Sequence, residues 1–98
     1  MIEPTYRRHP EALWRYSLRG VLVCPPGTDT SQVVNAPGDA VWSLLDEPTT
    51  VAALATVLAA AFDAPVDRVR TDVQGLLDEL TSIGAVERRL DGSDETES

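Results

Sequence analysis

Cys24 and His9 are the only cysteine and the only histidine in this chain. By residue type they compose a nucleophile and its general base. Their settings give them plainer roles. Cys24 closes the apolar run Val21-Leu22-Val23-Cys24, where a thiol packs as a small hydrophobe. His9 stands in a polar N-terminal stretch and reads as solvated. One Cys and one His fall short of a zinc ligand set, and a single Cys forms no intrachain disulfide. The carboxylate pairs Asp46/Glu47 and Asp78/Glu79 are adjacent in sequence. On a helix such neighbours point about 100° apart and share no site. Gly27 and Gly38 belong to no phosphate-loop pattern. The expectation is a chain with no catalytic residue, no metal and no cofactor, whose chemistry is binding.

The groups left to bind with are backbone amides and apolar side chains. Gln32-Val33-Val34-Asn35 reads as a short strand with no Pro or charge to blunt its edge. An exposed edge accepts an added strand through backbone hydrogen bonds, and neighbouring pockets for alternate side chains supply selectivity. The elements that must hold this edge follow from the rest of the pattern. Residues 12–17, with Trp14 and Tyr16, and Val21–Cys24 read as two further strands, joined by Arg19-Gly20 and stopped by Pro25-Pro26-Gly27. A first helix is expected over 37–46, with Pro37 at its first position and Pro48 beyond its end. Thr49 or Thr50 caps a second helix with an apolar stripe at Val51, Leu54, Ala55, Leu58 and Phe62. A third carries Val66, Val69, Val73, Leu76, Leu77, Leu80 and Ile83 and ends at Gly84. Residues 85–90 read as an extended wing. Trp42 is expected as a core anchor, while core and surface readings of Trp14 stay open.

Ninety-eight residues with a hydrophobic share of 43% make one folded domain. A net charge of −8 lowers the expectation of nucleic-acid or anionic-membrane partners. No run approaches a membrane span, and the N-terminus lacks an apolar signal region, so the cytoplasm is expected. Strands, three helices and a wing also describe a small winged-helix DNA-binding regulator. On the third helix, however, Asp67, Asp72, Asp78 and Glu79 outnumber Arg68 and Arg70, and such a face repels phosphates. Arg7, Arg8, Arg15 and Arg19 form a basic N-terminal cluster expected to be solvated or paired with acids.

The run Val34-Asn35 followed by Ala40-Val41-Trp42-Ser43-Leu44-Leu45-Asp46 resembles the core of PqqD-like proteins, also called RiPP recognition elements. The similarity continues through Pro48-Thr49-Thr50-Val51, Phe62-Asp63, Asp72-Val73, and Leu76-Leu77 with Leu80 and Gly84. It spans about residues 12 to 90, and its order and spacing are more specific than any one piece. The resemblance implies an α+β, winged-helix-like fold in which a three-stranded antiparallel sheet is followed by three helices. It implies capture of the leader segment of a ribosomally made precursor peptide, added as a strand beside the third strand and against the third helix. The captured precursor is then presented to a radical-SAM protein, a cyclodehydratase or a leader peptidase, as in lasso-peptide pathways. On that reading Gln32, Val33, Val34 and Asn35 offer the edge, and Val69, Asp72, Val73 and Leu76 line the helix side. Arg68 meets an acidic leader residue. The chain departs from the family pattern at Val34, at Pro37-Gly38 and in an acidic groove at Asp72 and Glu79. The expected organisation is a flexible arm over 1–11, a peptide-binding domain over 12–90 and a disordered acidic tail over 91–98.

Overall fold

The structure, a computed structural model, describes residues 3–90. The tail expected over 91–98 lies outside the described residues. Three short strands form an antiparallel meander: β2 (Leu13–Ser17), β3 (Gly20–Cys24) and β4 (Gln32–Asn35), in the order β2-β3-β4. These are the three strands expected from the sequence. Along β3 the side chains alternate, with Val21 and Val23 buried and Leu22 and Cys24 half-buried on the opposite face. The register sets Val21 across from both Tyr16 and Val34. Gly20 has φ +142°, and a Cβ there would collide with the Val34 carbonyl, so only glycine lets the β2–β3 turn pass this close to β4.

The three helices are α1 (Gly38–Leu44), α2 (Val51–Phe62) and α3 (Val66–Ser82). Helix α1 is shorter than the expected 37–46. Pro37 follows a cis peptide bond and stands as the N-cap with ψ 7°, outside the helix proper. Thr50 caps α2, its hydroxyl accepting from the Ala53 N–H at 3.1 Å. At the end of α3, Gly84 adopts φ +86°. Its N–H donates to Thr81 O (3.1 Å) while the Ala85 N–H donates to Leu80 O (3.0 Å), a Schellman closure that turns the chain sharply out of the helix. The α2 and α3 stripes face each other over Leu54, Leu58, Val73, Leu77 and Leu80, all buried, with Trp42 of α1 completely enclosed.

The N-terminal stretch is not the loosely held arm expected from its polarity. Pro4–Arg8 form β1, paired antiparallel along its whole length with β5 (Val86–Leu90), the expected wing. The reason is one residue. Tyr6 is only 1% exposed, and its backbone exchanges hydrogen bonds with Thr49 at 2.7 and 3.0 Å. Its hydroxyl accepts from Gln74 Nε2 at 3.2 Å. A single buried aromatic between outward polar residues makes this a strand that composition hides. Among the described residues no helix is long and apolar enough to cross a membrane.

Candidate functional site

The fold leaves the β4 side of the meander open. Among the described residues β4 pairs only with β3, so alternate residues of Gln32–Asn35 direct N–H and C=O groups away from the sheet. The opposite edge, β2, also lacks a second partner strand among the described residues, but it carries Arg15 in mid-strand with Arg19 in the following turn. Charge blunts that edge against strand addition, and β4 has none. Along β4, Val34 turns inward at 8% exposure and Val33 outward at 45%.

Beside this edge runs a groove of about 580 Å³. Its floor is apolar, from Val34, Val41 of α1 and Leu58 of α2. One wall is α3 with its C-cap Ile83, where Val69, Leu76 and Ile83 are half-buried at the margin of a stripe whose centre, Val73, Leu77 and Leu80, is fully packed. The margin exists because the α3 stripe is wider than the surface α2 covers. Gly38, in the first turn of α1, keeps the groove open. A Cβ there would lie 2.9 Å from Val34 Cγ1 and 3.3 Å from Leu76 Cδ2, across the gap between strand and helix.

All nine residues expected at the site line this one groove: Gln32, Val33, Val34 and Asn35 on the strand, with Arg68, Val69, Asp72, Val73 and Leu76 on the helix. Sequence reasoning missed Gly38, Val41, Leu58 and Phe62 as lining residues. Phe62 carried a signal, since it ends the α2 stripe and is 54% exposed, an apolar ring with no core left to cover it. Gly38 carried only the departure from the family pattern at Pro37-Gly38, because its role is an absent side chain. The charges on the lining are Arg68, Asp72 and Glu79, all exposed.

Cys24 and His9 have separate local engagements. The Cys24 thiol lies 3.3 Å from the Thr28 carbonyl. The His9 Nδ1 accepts from the Glu11 N–H at 3.0 Å, and its Nε2 lies 3.6 Å from Glu87. His9 is therefore tied to the β1–β5 ribbon and is not the solvated residue expected. Neither residue lines the groove. Among the described residues no group of three or more His, Cys, Asp or Glu side chains could hold a metal ion.

A short meander with one unblunted edge, set against a helix whose apolar margin stays uncovered, defines an α+β module of winged-helix-like build. The family model described as Coenzyme PQQ synthesis protein D (PqqD) matches residues 20–86, so the chain belongs to the PqqD family. The fold is similar to the solution NMR structure of the PqqD truncation of Methylobacterium extorquens PqqCD, with a TM-score of 0.73 and 21% identity over 86% of this chain and 89% of that one. That protein is described as a functional and stand-alone RiPP recognition element. No curated protein matches the chain.

Proposed function

We propose that this chain is a non-catalytic recognition element that captures the leader segment of a ribosomally synthesised precursor peptide by strand addition at β4. The observation that carries the reading is the conjunction of an unblunted strand edge with an apolar groove at its side. The leader pairs its backbone with the outward amides and carbonyls of Gln32–Asn35. Its alternate side chains enter the groove over Val69, Val73 and Leu76, and Arg68 meets an acidic leader side chain. Main-chain pairing gives affinity and the pockets give selectivity. The complex is then presented, in the cytoplasm, to a modifying or processing enzyme of the radical-SAM, cyclodehydratase or leader-peptidase kind.

The test is a titration of labelled leader segments of candidate precursor peptides, followed by an N-methyl scan of the one that binds. Strand addition uses the N–H of every second leader residue. Binding should therefore fall when alternate positions are methylated and persist when the intervening ones are. Absence of binding at micromolar concentrations, or insensitivity to methylation at every position, would sink the reading. Binding to duplex DNA that weakens steeply with salt would instead support the winged-helix regulator.

A further inference from the structure

The charges on the groove wall are ordered. At about 100° per residue, Arg68, Asp72 and Glu79 fall within about 40° of one another around the α3 axis, outside the arc of Leu76, Val69, Leu80 and Val73. They form an outer rim above an apolar inner line. Along the helix, Asp72 lies about 6 Å beyond Arg68 and Glu79 about 10 Å further. Among the described residues none of the three takes part in an ion pair. Apart from Arg68, which shares the rim, three of the arginines are held elsewhere. Arg7 is bonded to Glu87 at 3.0 Å. Arg8 is bonded to the carbonyls of Trp42 and Ser43. Arg70 lies 3.9 Å from Glu3. None of these arginines lines the groove. The rim therefore carries one positive and two negative charges, on a chain whose net charge is −8.

Resting on the strand-capture reading, we propose that the groove selects a basic peptide strand. The strand carries a Lys or Arg facing Asp72 and Glu79, and any acidic side chain sits at the Arg68 end, by the α2–α3 turn. The whole-chain field draws such a segment in, and the rim fixes which way round it lies. A strand with its charges reversed meets like charges at both ends of the rim.

The experiment pans short random peptides on display against the full chain and measures the best binder as a free peptide. Lys and Arg should be enriched over Asp and Glu among selected peptides. Changing the binder's Lys or Arg to Glu should weaken binding roughly tenfold at low ionic strength, with a smaller difference in high salt. The D72N/E79Q variant, altered only at exposed side chains, should bind but lose this discrimination. The groove-filling variant G38L, confirmed folded by circular dichroism, should bind none of the selected peptides. Peptides that need the open groove yet are neutral or acidic, or a preference that survives D72N/E79Q, overturn the charge assignment and leave strand capture standing. If no selected peptide is lost in folded G38L, strand capture falls and the charge assignment with it. Self-association blocked by the selected peptides would give the groove to a second copy of the chain and overturn the proposal.

Discussion

Arg8 holds three groups at once. Its Nε donates to Trp42 O at 3.1 Å and its Nη2 to Ser43 O at 3.2 Å, carbonyls near the end of α1. Its guanidinium carbon stands 4.5 Å from the centre of the Trp14 ring. Helix α1 has no basic residue in its own last turn, so β1 supplies the cation that its C-terminal carbonyls favour. A planar fork that also stacks is a task for Arg and not Lys. Arg8→Ala should cost about 2–3 kcal/mol in chemical denaturation, and Arg8→Lys most of that. Trp42 gives the contrasting case. It is wholly buried, yet its indole N–H has no hydrogen-bond partner among the described residues. Trp42→Phe, which deletes that unpaired donor, should cost under about 1.5 kcal/mol, whereas Trp42→Ala should cost about 3–5 kcal/mol. The anchoring role of Trp42 was legible from its apolar neighbours. That of Arg8 was not, because nothing in an Arg-Arg pair tells which one turns inward to an aromatic ring and two carbonyls. Trp14, open between core and surface, proves to be the plate between them, half-covered by Arg8 and edge-on to Trp42.

At the scale of elements, the meander and the three helices could be read from the sequence because each announces itself locally. A short apolar run stopped by Pro25-Pro26-Gly27 marks β3, the apolar stripes mark α2 and α3, and Thr50 and Gly84 sit where caps belong. Strand β1 escaped because its evidence is entirely non-local: its partners are Val86–Leu90 and Thr49. The groove was half legible. The strand edge and the α3 margin are periodic features, but the gap between them depends on how closely α1 approaches, which Gly38 decides. Gly38→Leu should leave the far-ultraviolet circular dichroism near that of the parent and abolish peptide binding. Gly20→Ala should do broader damage, since its Cβ would meet the rigid Val34 carbonyl at a φ unfavourable to L-residues. Both β4 pairing and peptide binding should weaken together, checked by hydrogen exchange of the Val33 and Val34 amides.

Across the whole molecule, β1 and β5 join opposite ends of the sequence, with Pro4 opposite Leu90 and Arg8 opposite Val86. A chain shortened to begin at residue 12, which a flexible arm would tolerate, loses Tyr6 from the core and Arg8 from α1. Its unfolding free energy should drop by more than about 3 kcal/mol, measured by urea titration. The family match begins at residue 20 and stops at 86, so it covers neither β1 nor most of β5. Strand β5 was expected as a wing, but its pairing with β1 is seen in the structure alone.

That ribbon brings the two ends of the described chain out side by side, and none of its residues lines the groove. The module is thus shaped like a cassette. Spliced into a surface loop of another protein, or hung from a partner by either end, it would need no spacer across the open β4 edge. For the same reason a circular permutant, its old ends bridged by a short glycine-serine linker and its new ones opened in the exposed loop between Cys24 and Gln32, should fold and keep the parent's ligand affinity.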